Sequence, residues 1–178
     1  FIIINVFSKS IYLLFMENME LVIDYIKSKK LDEALKLCEK NSNTEEDYLI
    51  NNFKGVIYSL KNNIELAEKY FLKSHESNKN FIDPLKNLYL INIRRKNFKK
   101  AIKFSYLLHN LDKSNDLYLY QLAYAYELNN ENLLAIEFYE KCIDLNEVNK
   151  FKALNNIGNI YLKNNKPKSA LKYLLKAN

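Results

Sequence analysis

Glycine and proline are nearly missing from this chain, with two of each in 178 residues. An all-β fold needs many tight turns and therefore more of both, so helices are expected. Tryptophan is absent altogether, and only two cysteines and two histidines occur. Cys38 and Cys142 lie far apart within helical patterns, which leaves neither a disulfide framework nor a metal spacing. A reducing compartment, and hence a cytoplasmic location, is the expectation. His75 and His109 occupy the same slot of neighbouring repeats, but a shared zinc would need two more nitrogen or sulfur ligands and none is in frame. No Gly-rich phosphate loop, HExxH, CxxC or nucleophile elbow is present. Catalysis, a cofactor, a metal and a small-molecule substrate are therefore not expected of this chain.

A long hydrophobic span is also lacking. Residues Phe1 to Phe15 are almost entirely apolar, with Lys9 the only charge, yet a membrane span takes roughly 18 to 20 such residues. The segment has neither a basic front end nor a small-residue cleavage site. It reads as the remnant of an anchor, as sequence upstream of a start at Met16 or Met19, or as an extra helix packed on the rest of the chain; the leading Phe1 favours the second or a cropped fragment. It is the only hint of a membrane.

What is present is apolar bulk and asparagine. Hydrophobic residues make up 48% of the chain, enough to build a core unaided. The net charge is +6 and the pI near 9.1. Lys and Arg can neutralise phosphates, but 26 Asn beside abundant Lys, Ile and Tyr are what a genome poor in G and C encodes at tolerant surface positions. Nucleic acid is not the expected partner. A basic cluster, Arg94, Arg95, Lys96, Lys99, Lys100 and Lys103, straddles one predicted turn and could grip a phosphate or an acidic partner, although a solvated edge needs no ligand. Carboxylate pairs such as Glu45-Glu46 suit a helix start better than acid-base chemistry.

A five-point pattern recurs along the chain. From a small or apolar residue it steps three to an aromatic, nine to alanine, four to a bulky residue and three to a smaller one. The second repeat holds Gly55, Tyr58, Ala67, Phe71 and Ser74; the fourth Ala123, Tyr126, Ala135, Tyr139 and Cys142; the fifth Gly158, Tyr161, Ala170, Leu174 and Ala177. The first, with Val22, Tyr25, Ala34, Cys38 and Asn41, and the third, with Tyr89, Asn92, Ala101, Ser105 and Leu108, are degenerate but in frame. Starting positions 22, 55, 89, 123 and 158 are 33 to 35 residues apart. Small residue and alanine are expected to face each other where two antiparallel helices cross. The aromatic and bulky residues fill the space between pairs, so that no repeat buries its apolar face alone. Asn62-Asn63, Asn129-Asn130 and Asn164-Asn165 fall where each first helix must end, since Asn tolerates the left-handed conformation. Pro167 is placed to open a helix, and Asp83-Pro84 reads as N-cap and first helical residue.

From Met16 onward this period and pattern resemble the tetratricopeptide repeat family. The chain departs from the family pattern at the frequent Trp four residues before the small site, here Asn18, Asn51, Leu85, Leu119 and Leu154. It also lacks the later proline, replaced by Glu46, Lys79, Lys113 and Glu147; half-a-tetratricopeptide repeats share the same fold. The resemblance implies an all-α, right-handed α-solenoid of about five helix-turn-helix repeats. Boundaries fall near 16–47, 48–81, 82–115, 116–150 and 151–178 after an N-terminal segment 1–15. The fifth repeat stops at Asn178 inside its second helix with no polar cap, so a longer parent protein is expected.

In that family the first helices line a concave groove that holds an extended peptide or a partner helix. Helical phase puts Leu49, Asn52, Val56 and Ser59 on the exposed side, then Asp83, Lys86, Leu90 and Ile93, then Leu117, Tyr120, Tyr124 and Glu127, then Lys152, Asn155, Asn159 and Leu162. The middle, around Val56, Leu90, Ile93, Tyr120 and Tyr124, is apolar and aromatic, the composition of an interaction site. Asn87, Gln121 and Asn156 resemble the asparagine ladder with which some members hold a peptide backbone; Phe53 interrupts it. Lys86, Lys152 and Asn156 sit at clamp-like sites of chaperone-binding relatives, but Leu90 and Gln121 occupy two others, which argues against that specialised role. The expected function is a scaffold for a protein or peptide. The alternatives are the substrate-presenting arm of a larger enzyme such as a glycosyltransferase or sulfotransferase, and a membrane-tethered assembly factor.

Overall fold

The computed structural model describes residues 2–42, 47–145 and 149–177, with side chains from Leu13 onward. Glu45, Glu46, Glu147 and Asn178, singled out above, lie outside the described residues. Within them the chain forms ten helices and no strand: α1 (Ile2–Lys27), α2 (Leu31–Lys40), α3 (Asp47–Leu60), α4 (Ile64–Ser77), α5 (Asp83–Arg94), α6 (Phe98–Leu111), α7 (Asp116–Leu128), α8 (Asn132–Leu145), α9 (Lys150–Lys163) and α10 (Pro167–Leu174). Odd and even helices are the first and second members of five successive pairs, as the repeat predicts.

Each hairpin turns through one residue in the left-handed region: Lys29, Asn62, Lys96, Asn130 and Asn165, with φ between 56° and 62°. The hydrogen bonds that go with it recur. In the second pair Asn63 N donates to Tyr58 O (2.9 Å) and Asn62 N to Ser59 O (3.1 Å), a double closure that satisfies carbonyls the helix end would leave bare. The bonds from Lys30, Asn97, Glu131 and Lys166 to the carbonyls of Tyr25, Asn92, Tyr126 and Tyr161 are the same closure, at 2.8 to 2.9 Å. Asn63 and Asn97 then cap the following helix, their side chains accepting from Leu66 N and Lys100 N. Pro167 occupies the first turn of α10 as expected. Asp83 is already helical, one residue earlier than its reading as N-cap.

The chain forms two compact units, one up to Pro84 and one from Leu85 onward. The first has a core of Phe15, Met19, Val22, Ala34, Cys38, Ile50 and Ile57. Phe15 is thus a core residue, and α1 runs from Ile2 to Lys27 without a break at position 15. No helix among the described residues is long and apolar enough to cross a membrane. The second unit is centred on Ala123, Ala135, Tyr139, Ala153, Ile157 and Ile160.

All five pattern alanines are fully buried. The crossing partner of the small residue is the bulky residue, however. A methyl group built on Gly55 would come within 2.6 Å of the Phe71 ring, and one on Gly158 within 2.5 Å of Leu174. The same two slots hold Ala123 with Tyr139, Val22 with Cys38, and Tyr89 with Ser105. Size on one helix is offset on the other, so the third repeat is a reversed pairing of volumes and not a decayed one. The fifth point of the pattern ties a second helix back to its own first: Ser74 Oγ donates to Tyr48 O at 2.6 Å, and Cys142 Sγ to Asp116 O at 3.4 Å.

Candidate functional site

The first-helix face of the second unit is built on α7, whose sequence places tyrosine at positions 120 and 124, four residues apart and so one above the other. Their rings lie parallel within 6° at 6.4 Å between centroids, and Tyr120 leans on Tyr139 at 5.5 Å. Both remain half-buried. A polar network fixes Tyr120 and Tyr139 from below. Asn156 Nδ2 donates to the hydroxyls of Tyr139 (2.7 Å) and Tyr120 (3.1 Å), and Tyr139 donates to Glu127 Oε2 at 2.9 Å. Glu127 also meets Lys163 at 3.5 Å. On the α5 side, Tyr89 donates to the carbonyl of Gln121 at 3.3 Å.

Burial is the main reason that the hydroxyls of Tyr89, Tyr120 and Tyr139 are held above the ordinary tyrosine range. For Tyr139 the Glu127 carboxylate adds to the rise, whereas the bond from Asn156 pulls Tyr120 and Tyr139 partly back. These groups are therefore protonated donors at neutral pH. Tyr124 makes no hydrogen bond to the described residues and is half-buried, while the Gln121 Oε1 atom is buried without a partner among them.

The predicted site residues separate into groups. Tyr120, Tyr124 and Asn156 come together, joined to Gln121 through Tyr89. Leu90 is 47% exposed on α5, where Lys86 is exposed and Asn87 and Ile93 are half-buried. Asn155 and Asn159 are open on α9. Val56 and Asn52 belong to the first unit, and Asn52 is corrected: expected on the open face, it is only 8% exposed, with Oδ1 buried and unpartnered among the described residues. Asn156 also has a role inside the face, since its Nδ2 donates to two tyrosines and so helps to hold the face together. Tyr139 and Tyr89 were missed as parts of the site because they stand in packing slots. The signal was a tyrosine in each of two packing slots, because a buried Tyr must find a partner for its hydroxyl.

Other surfaces are less suited to a ligand. An open cleft of about 640 Å³ between α8, α9 and α10 is lined by Glu140, Asp144, Lys172 and Tyr173, where Tyr173 already donates to Glu140 at 2.6 Å. Among the described residues no three or more His, Cys, Asp or Glu side chains converge as metal ligands. His75 and His109 lie in separate units. Burial, then Lys113 and Lys141, hold His109 below its ordinary pKa.

No curated protein sequence is significantly similar to the chain. Solved structures resemble its fold. Desulfovibrio magneticus RS-1 MamA, from residue 41 to its end, superposes with a TM-score of 0.74 at 16% identity, over 91% of this chain and 92% of that one. For a further MamA crystal structure the values are 0.76, 20%, 91% and 88%, and for MamA of AMB-1 they are 0.73, 16%, 92% and 89%. The sequence model of the tetratricopeptide repeat matches residues 49–81, 118–149 and 151–178, just over half of the chain and in phase with the observed helix pairs. The chain belongs to the tetratricopeptide repeat family.

Proposed function

We propose that the chain is a protein-interaction scaffold whose second unit holds an extended peptide or a partner helix on the first-helix face of α5, α7 and α9. The observation that carries this reading is the stacked pair Tyr120 and Tyr124, aromatic surface left half-open although Asn156 and Tyr139 hold Tyr120 in place. Rigid tyrosines of this kind give large contact area at little entropic cost. Leu90 and Ile93 extend the apolar surface on α5, and Asn155 and Asn159 offer amides on α9.

The chain acts by binding and not by catalysis on this reading. A reducing, cytoplasmic setting is supported by two buried free thiols, each pushed by burial to a pKa of about 11. The test is capture of partners from cell extract with wild-type chain and with Tyr124→Ala and Tyr120→Ala. Loss of the captured proteins while the helical circular dichroism stays unchanged supports the reading; capture that survives both substitutions sinks it.

A further inference from the structure

Helix α1 differs from the other first helices in length. It has 26 residues, and α3, α5, α7 and α9 have 12 to 14. At 1.5 Å per residue it is about 39 Å long, and its hairpin partner α2, with ten residues, is about 15 Å. More than half of α1 therefore lies beyond the reach of α2. Its surface is also less closed than the repeat implies. One place before the small site stand Leu88, Leu122 and Ile157 in the third, fourth and fifth pairs, all fully buried, whereas the first pair has Leu21 at 41% exposed. Leu21 and Tyr25 form, with Leu37 of α2, a mainly apolar groove of about 260 Å³ rimmed by Glu33, Lys36 and Lys40. Leu14, two turns earlier, is 59% exposed.

The groove belongs to a longer stripe. Leu14, Asn18, Leu21 and Tyr25 follow one another at spacings of four, three and four along one side of the helix. The helix positions in line with them toward the N-terminus are filled in the sequence by Ser10, Phe7 and Ile3. From Ile3 to Tyr25 the spacings run four, three, four, four, three, four, the same from either end with Leu14 at the centre. Such a stripe matches itself when turned around, which is what a two-fold interface between identical chains requires. Ile3 then meets Tyr25, Phe7 meets Leu21, Ser10 meets Asn18 and Leu14 meets its own copy. Apolar positions face apolar ones, and the polar pair sets the register.

We infer that α1 pairs antiparallel with α1 of a second copy, so that Ile3 and Phe7 of each chain close the groove of the other. Charge selects the same direction. Up to Phe15 the only charge is Lys9, and Glu17, Glu20 and Asp24 follow, all exposed. Two parallel copies would set these carboxylates against their counterparts; in antiparallel copies they lie along the half that carries Lys9. The pairing uses no residue of the second unit and stands apart from the scaffold reading.

The test is the mass of the full chain by analytical ultracentrifugation from about 1 to 100 µM. At the upper concentrations wild type is expected at twice the 21.2 kDa of one chain. Leu14→Glu sets two carboxylates against each other at the axis and is expected to raise the dissociation constant at least about tenfold. Met16→Glu, exposed on the opposite flank of the same helix, should stay within about twofold of wild type. A wild type that remains monomeric throughout overturns the inference, as does equal weakening by the two substitutions or none by Leu14→Glu. Disulfide trapping reads the direction, and the native Cys38 and Cys142 are buried and do not compete. Phe7→Cys and Leu21→Cys chains should cross-link when mixed and oxidised, and neither should link to itself. No mixed product, or self-links of either variant alone, overturns the antiparallel pairing. A monomeric wild type whose binding to phosphatidylcholine vesicles is abolished by Leu14→Glu would make the occupant a lipid surface, and the inference falls.

Discussion

At Gly55 the ring of Phe71 occupies the space a methyl group would take. Gly55→Ala is therefore expected to destabilise by about 1–3 kcal/mol, the usual cost of overpacking. Adding Phe71→Leu should recover part of that loss, since it is the Phe71 ring that the new methyl group meets. Urea unfolding of the single and double variants checks this, and a strictly additive loss would contradict the shared volume. Tyrosines set the alkaline limit. Hydrogen bonding to Glu140, then burial, raises Tyr173 to about 12, and Tyr139 is held higher than its ordinary value by burial and Glu127. In the unfolded chain tyrosine ionises near pH ~10. Because the native values are raised, the stability they contribute is fully present below that pH and is lost as pH rises through the native values. Tm should fall steeply between about pH 10 and 12, and less steeply in Tyr173→Phe; an unchanged slope would show that the Glu140 bond does not persist in solution.

Among the elements, the five turns differ in how plainly the chain announces them. Paired asparagines mark the ends of α3, α7 and α9, and the left-handed residues are Asn62, Asn130 and Asn165 as that signal implies. Lys29 and Lys96 occupy the same slot invisibly, because the requirement belongs to the backbone and the period alone reveals it. Relieving it should help: Lys96→Gly is expected to stabilise by about 1 kcal/mol, the strain of a Cβ in this region. Thermal denaturation would read this, and a lowered Tm would mean that the lysine side chain supports the turn. The candidate site was only partly legible for a related reason. Phase along one helix singles out Leu90, which is exposed, and Tyr120 and Tyr124, which are half-buried, but cannot say which neighbour covers Asn52 or that the Asn156 amide donates to two tyrosines. Those facts come from helices stacked beside it, and stacking is set by side chains many residues away.

Across the whole molecule, a repeat protein's stability is close to a sum of each repeat and its adjoining interfaces. Damage should therefore stay local. In Gly55→Ala, amide exchange is expected to quicken in α3 and α4 while α9 and α10 keep wild-type protection, as followed by hydrogen exchange with mass spectrometry; uniform loss of protection would show one cooperative body instead. The fold class was the most legible property of all, because a period sustained through five copies survives even where one copy swaps large for small. The left-handed turn residues fall at 29, 62, 96, 130 and 165, so any two hairpins begin and end at equivalent backbone points. An unequal exchange between gene copies that joined one such point to another would insert or excise a whole hairpin in frame. Lineages carrying this gene thus have a ready route to longer or shorter arrays, and with it to partners of different reach.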